Sequence, residues 1–71
     1  MKAFITVLDF GDNYQKLDLC ETLGTVTGLS VSIDGTGNPA LTCDVEALGA
    51  LMQKLAKDEK ANWIEYTVQF G

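Results

Sequence analysis

Residues 35–40, GTGNPA, are the stretch whose spacing most resembles a chemical site. Read literally, they match the G-x-G-x-x-A fingerprint, which places a dinucleotide pyrophosphate at a helix N-terminus. That chemistry needs a helix that opens at the glycines, but a proline and a strand-like run, residues 40–43, come next. Only 31 residues follow Ala40, which is too few for the parallel sheet that such a cofactor spans. The dinucleotide interpretation is therefore rejected.

A calcium loop and a phosphate loop are excluded by position. If Asp34 opened a twelve-residue EF-hand loop, its last ligand would be Val45. If Asp34 and Gly35 filled positions five and six, the last ligand would be Leu41, which also has no side-chain oxygen. No lysine follows the glycines, as a Walker motif requires. We therefore predict a hairpin turn over residues 34–39, with Gly35 supplying a positive φ after Asp34.

Acids and serines offer two further candidates for catalysis. Asp9 and Asp12 flank Gly11, and two carboxylates there could bind a hard cation or act as an acid–base pair. We interpret them instead as a turn residue and a helix N-cap, both positions that aspartate favours. Ser30 and Ser32 alternate along a strand, and the chain has no histidine to activate a serine. We expect no enzyme activity, no metal site and no cofactor.

Charge and composition limit the classes of partner. The 71 residues carry ten acids and five lysines, for a net charge of −5, and contain no arginine. Arginine dominates bidentate recognition of phosphates and base edges, so direct nucleic-acid binding is not expected. An acidic surface favours basic partners, including basic grooves that normally hold nucleic acid. The balance of apolar and charged residues indicates a single globular domain, residues 1–71.

Cysteine usage and the first residues bear on the compartment. Cys20 and Cys43 match no metal or redox spacing, so we expect both to be reduced and packed in the core. The opening run, MKAFITVLDF, is interrupted by a threonine and ends in acid, unlike a signal peptide. No stretch approaches the roughly 18 apolar residues of a membrane span. We expect a cytoplasmic protein that does not associate with a membrane.

Hydrophobic periodicity predicts six elements that would position these residues. They are a strand over 2–10, a helix over 12–23, a strand ending the segment 25–33, a short strand over 40–43, a helix after Asp44 and a strand over 62–70. The order β-α-β-β-α-β suggests an α+β two-layer sandwich of the ferredoxin-like type, with an antiparallel sheet and both helices on one face. Both faces of the first strand are apolar, which places it inside the sheet.

The two helices are predicted from different signals. Asp12 and Gln15 have the spacing of a capping box, and Gly24 stands where a C-cap glycine belongs. Leu17, Cys20 and Leu23 would form the buried face of this first helix. Asp44 is the predicted N-cap of the second helix, whose apolar stripe is Val45, Leu48, Leu51, Met52 and Leu55. If residues 14–20 form a strand instead, the fold becomes a β-meander packed on one helix.

The segment LDFGD…LDLCETLGTVTGLSVSI resembles ACT-type ligand-sensing domains. The shared features are the β-α-β-β-α-β order, an acid–glycine turn after the first strand and an LG…GLSV-like run into the second strand. The chain departs from the pattern after Asp9, where no Asp-x-Pro-Gly follows, and these 71 residues hold no second domain of the kind that such a module regulates. The resemblance implies a small-ligand sensor that dimerises through its sheet.

Trp63 is the strongest candidate for a binding anchor, because tryptophan is enriched at interface hot spots. We predict that Trp63 begins the last strand, where it either covers the end of a helix or the sheet edge or serves as a binding anchor on the open face of the sheet. The apolar residues of the first strand expected on that face are Phe4, Leu8 and Phe10. An exposed patch of this kind usually marks a protein interface. The predicted partner-binding residues are Trp63, Glu65, Phe10, Asp12 and Tyr14.

These observations lead to two functional hypotheses. The first is a small, acidic, non-catalytic protein-binding module that inhibits or regulates a larger protein with a basic surface. A phage or mobile-element inhibitor of a host nucleic-acid-handling defence complex is the form that its size and charge suggest. The alternative is an ACT-like small-ligand-sensing homodimer.

Overall fold

Four antiparallel strands and two α-helices make up the computed structural model, which describes residues 1–8 and 11–71. The elements are β1 (Lys2–Val7), α1 (Asn13–Thr27), β2 (Ser32–Ile33), β3 (Pro39–Asp44), α2 (Leu48–Lys57), which follows a 3₁₀ turn over Val45–Ala47, and β4 (Tyr66–Phe70). The strands form one open sheet in the order β2-β3-β1-β4, and every neighbouring pair is antiparallel. The predicted α+β class is confirmed.

β1 occupies an inner position in the sheet, as its two apolar faces predict. It pairs with β3 on one side and with β4 on the other. Ala3, Ile5 and Val7 are buried on the face that the helices cover, whereas Phe4 and Leu8 remain 44% and 39% exposed. The predicted continuation of this strand to Asp9 and Phe10 lies outside the described residues.

The core lies between the sheet and both helices. α1 and α2 contact each other, and both contribute residues to one cluster with the buried sides of β1 and β3. The members of this cluster are Ala3, Ile5, Val7, Leu19, Leu23, Leu41, Cys43, Leu51, Leu55, Ala61 and Ile64. One face of the sheet is therefore covered by helices, which leaves the other face to solvent.

The helical interpretation of the first ambiguous segment is confirmed, and the alternative strand over 14–20 is wrong. The Asp12 carboxylate accepts a hydrogen bond from the Gln15 backbone N–H (2.9 Å), and the Gln15 side chain accepts one from the Asp12 N–H (3.2 Å). The helix does not end at Gly24, because the next turn buries Thr27 in the core. It ends at Gly28, whose φ of 71° is left-handed and whose N–H bonds to the Gly24 carbonyl.

Gly28 offers a clean test of this helix end. Replacing Gly28 by alanine should lower the free energy of unfolding by about 1 kcal/mol, because an L side chain is strained at this φ although open space surrounds the site. Gly49, inside α2, also faces open space but has no left-handed backbone. Gly49→Ala should therefore raise stability by about 0.5 kcal/mol. Urea denaturation of both variants measures the two effects, and the same sign for both would contradict this assignment of the helix end.

Two other predicted boundaries need correction. The strand expected within 25–33 shrinks to Ser32–Ile33 because the first residues of that segment belong to α1. The alternation of Val31 and Ile33 with Ser30 and Ser32 predicts that Ile33 faces the core, but its side chain is 52% exposed because it lies on a short edge strand. Asp44 makes no capping hydrogen bond, and its carboxylate instead pairs with the Lys2 ammonium at 2.5 Å.

Neither helix in the described part of the chain has the length and apolar character needed to cross a bilayer.

Candidate functional site

A groove separates the N-terminal half of α1 from the turn over residues 58–63, and we call it the α1 groove. Its volume is about 600 Å³. The side chains that line it include Gln15, Asp18 and Thr22 from α1 and Glu59, Lys60 and Trp63 from the turn. Because polar and charged side chains surround its one aromatic residue, the groove is better suited to a polar or charged occupant than to an apolar ligand.

The helical repeat explains how α1 supplies one wall. Leu19 and Leu23 point into the core, so the side chains on the adjacent face of the helix are turned toward the groove. Gln15, Asp18 and Thr22 have the i, i+3, i+7 spacing of a single flank. The Thr22 hydroxyl donates to the Asp18 carbonyl at 3.0 Å, which leaves the Asp18 carboxylate exposed toward solvent.

Asp58 organises the opposite wall. Its carboxylate accepts hydrogen bonds from the backbone N–H groups of Lys60 (2.9 Å) and Ala61 (3.0 Å). Ala61 is buried, and so is Ile64 three residues later. These two anchors fix the turn on the core and leave Trp63 between them, with 59% of its surface exposed.

The α1 groove lies in an acidic surface. The acids on α1 with its cap and on the turn are Asp12, Asp18, Glu21, Asp58 and Glu59, and the lysines on the same elements are Lys16 and Lys60. Five acids and two lysines give these elements a net charge of −3, the larger part of the −5 of the whole chain. The Lys16 ammonium lies near the loop at Gly37 rather than in the groove. The charged residues that line the groove itself are Asp18, Glu59 and Lys60, with a net charge of −1, so the groove and its acidic flanks together favour a positively charged occupant.

The prediction that Trp63 begins the last strand is wrong. β4 begins only at Tyr66, and Trp63 lies in the preceding turn, against α1 rather than on the open face of the sheet. The alternating pattern does not extend back to Trp63, because the hydrogen bonds to Asp58 curl this segment into a turn. Glu65 is exposed beside the end of β1, where its carbonyl accepts from the Leu8 N–H at 2.8 Å.

Asp12 and Tyr14 lie at the N-terminal end of α1, outside the lining of the groove. Asp12 caps α1, and Tyr14 is 84% exposed on the outer side of the helix. Leu17, which was expected in the core, is 62% exposed and lies one turn from Tyr14. Phe10, the remaining predicted partner-binding residue, lies outside the described residues. The sequence prediction missed Gln15, Asp18 and Glu59, although the capping box at Asp12 fixes the helical phase that would have indicated the first two.

The open face of the sheet is less apolar than expected. Phe4 and Leu8 are partly exposed there, but the alternate positions around them carry polar residues. Thr42 and Gln69 are the direct neighbours of Phe4 on β3 and β4. Among the described residues, the large apolar side chains on this face are therefore Phe4 and Leu8, without the Trp63 that the sequence predicted beside them.

The glycine-rich stretch is a hairpin loop, as predicted. The Asp34 carboxylate accepts from the N–H and hydroxyl of Thr36 and from the N–H of Asn38, at 2.7–2.9 Å. The hydroxyl contact and these N–H groups lower the pKa of Asp34. The positive φ falls on Gly37 (89°) and not on Gly35, which corrects that detail. β3 follows the loop directly, so the helix that a dinucleotide site requires is not there.

The thiols and the described carboxylates are scattered over the fold, and the predicted pair of Asp9 with Asp12 involves a residue outside the described ones. Both cysteines are free, and Cys43 is buried in the core as predicted. Cys20 is only half-buried and lies outside the core cluster, which corrects that prediction; burial raises the pKa of its thiol and makes it less reactive. Within residues 1–8 and 11–71, no three Cys, Asp or Glu side chains come together as metal ligands would. The α1 groove is therefore the best candidate functional site in the described structure.

Comparison of this chain with protein-family models, with curated proteins and with solved structures finds no match in any of the three.

Proposed function

We propose that the chain is a non-catalytic protein-binding module that holds a basic segment of a larger protein in the α1 groove. The observation that carries this proposal is the exposed Trp63 in a groove whose flanking elements have a net charge of −3. Tryptophan supplies a large contact area at interface hot spots. Carboxylates around such an anchor speed encounter with a positively charged partner and select against acidic ones.

The same surface suggests what binding would do to the partner. A lysine- or arginine-rich face is the usual binding surface for nucleic acid. A compact acidic protein that covers such a face competes with the nucleic acid for it, without needing any catalytic group. Inhibition or regulation by occlusion is therefore the activity we propose, and a phage-encoded inhibitor of a defence complex is the specific form.

A second candidate function is ACT-like sensing of a small ligand by a homodimer. We propose that the fold is ferredoxin-like, which the β-α-β-β-α-β order and the inner positions of β1 and β3 support. The α1 groove has a volume within the range of small-molecule pockets. Gly11, from the acid–glycine turn that underlies the ACT resemblance, lines this groove. A ligand there would raise the melting temperature in a screen of amino acids and nucleotides.

A charge reversal tests the protein-binding proposal. Asp18→Lys places a positive charge in the α1 groove, and Glu46→Lys makes the same change in the exposed 3₁₀ turn before α2. Tagged wild type and both variants are used to capture partners from host lysate, and affinity for the captured protein is then measured at two salt concentrations. We expect Asp18→Lys to weaken binding by about tenfold or more and Glu46→Lys to leave it nearly unchanged. Equal retention by both variants, or binding that is insensitive to salt, would contradict an acidic docking groove.

A further inference from the structure

We propose that β4 is a dimerisation strand, which pairs antiparallel with β4 of a second copy so that two sheets join into one. This inference names a contact for the homodimer of the second candidate function, but it is argued from the free edge of the sheet and does not rest on partner or ligand binding in the α1 groove. β4 pairs only with β1 among the described strands, so its other side is open. The opposite edge of the sheet, β2, is only two residues long.

The hydrogen-bond pattern shows which backbone groups face the open side. Lys2 and Gly71 exchange two backbone hydrogen bonds, at 3.1 and 3.0 Å, and Leu8 donates to Glu65. In an antiparallel pair these exchanging positions alternate along the strand. The N–H and C=O groups of Tyr66, Val68 and Phe70 therefore point away from β1, toward the free edge. No other strand in the described part of the chain pairs with this row of donors and acceptors, so it fits a further strand.

The same three residues make the edge self-complementary. Their side chains lie opposite Val7, Ile5 and Ala3 on the helix-covered face, yet Tyr66 and Phe70 remain 41% and 59% exposed. A two-fold axis at Val68 would place Tyr66 of one copy opposite Phe70 of the other. Aromatic pairs directly across an antiparallel ladder stabilise it. One register thus satisfies the free backbone groups and covers both exposed aromatic rings.

The strand also lacks the features that normally prevent an edge strand from pairing with another molecule. Natural edge strands carry lysine, proline or a bulge that prevents pairing. Residues 66–70 contain no charged residue and no proline, and their register with β1 is continuous. This matters for a chain of net charge −5, because two copies repel each other wherever their acids meet.

The neighbouring flank of α2 is compatible with the same contact. Met52 and Ala56 lie next to Tyr66 around a small cavity. Gly49 precedes Met52 by three residues, so it is on the same flank, where it faces open space. Gly49, Met52 and Ala56 carry no charge on this side of α2. A second copy can therefore approach β4 without meeting Lys54 and Lys57, the lysines of α2.

Sedimentation equilibrium and amide hydrogen exchange test the proposal on the intact chain. We expect a monomer–dimer equilibrium between micromolar and millimolar concentration. The amides of Tyr66, Val68 and Phe70 should gain protection as the dimer forms, whereas those of Thr67 and Gln69, bonded to β1, should be protected throughout. Phe70→Lys should raise the dimer dissociation constant by about tenfold or more, and the control Gln69→Lys, on the open face of the same strand, should not.

Each other outcome overturns the proposal. A chain that stays monomeric at millimolar concentration does not use this edge for self-association. A dimer in which the amides of residues 66, 68 and 70 still exchange rapidly is formed through a different surface. The exchange pattern is read on wild-type protein, so a misfolded Phe70→Lys variant would not obscure the result.

Discussion

Replacing Leu23 by alanine should lower the free energy of unfolding by about 2–5 kcal/mol, the usual cost of removing a large core side chain. Leu23 is fully buried, on the side of α1 that faces the sheet. A 71-residue chain has a total stability of roughly 4–11 kcal/mol at typical values per residue. The substitution therefore removes a large share of the stability, and urea denaturation monitored by circular dichroism measures it.

Leu17→Ala is the matched control for this prediction. It makes the same change in the same helix, but at a side chain that is 62% exposed. We expect a loss within about 0.5 kcal/mol, because surface substitutions away from special features rarely cost more. Similar losses at both positions would mean that α1 packs with a different face toward the sheet, which would also move the walls of the α1 groove.

The contrast between Leu17 and Leu23 shows where sequence reasoning was reliable. The capping box at Asp12 fixes the start of α1, because its two hydrogen bonds are local and need no tertiary partner. The buried face is a tertiary property, and α1 has no clean apolar stripe, since its core side ends in Thr27. α2 has a regular stripe, so both the helix and its buried residues Leu51 and Leu55 could be predicted.

The end of α1 shows a second limit. Gly24 and Gly28 are both plausible C-caps in the sequence, and local propensity favours the earlier one because Thr25, Val26 and Thr27 are β-branched. Burial of Thr27 against the core, with its hydroxyl donating to the Leu23 carbonyl at 2.6 Å, favours the longer helix. Tertiary burial therefore outweighs the local preference.

The α1 groove could not be predicted, because it depends on a turn whose path is not visible in periodicity. Alternation of apolar residues from Ile64 to Phe70 suggested that the strand extends back through Trp63. Asp58 instead closes a turn by hydrogen bonds to two later N–H groups. The Asp58 carbonyl also accepts from the Ala61 and Asn62 N–H groups, and the resulting turn places Trp63 against α1 instead of on the open face of the sheet.

Trp63→Ala is expected to have the largest effect on partner binding, a loss of about 2 kcal/mol or more, which corresponds to an affinity about 30-fold weaker. Trp63 is 59% exposed, so the substitution should change the free energy of unfolding much less than Leu23→Ala does. Trp63→Phe keeps an aromatic ring and should retain part of the affinity. Isothermal titration calorimetry with the captured protein measures all three chains, and unchanged affinity in Trp63→Ala would remove Trp63 from the interface.

The combination of Trp63→Ala with Asp18→Lys determines whether the two residues act in one site. Both residues line the α1 groove, so their effects on partner affinity should be coupled. The double variant should therefore lose less binding free energy than the sum of the losses in the two single variants. Phe70 lies on the β4 edge, away from the groove, so any change in binding free energy caused by Phe70→Lys should simply add to that of Trp63→Ala when the partner binds a single copy. If Phe70→Lys instead weakens partner binding as strongly as Trp63→Ala, the partner recognises the dimer. The acidic grooves of two copies would then act together on one basic surface.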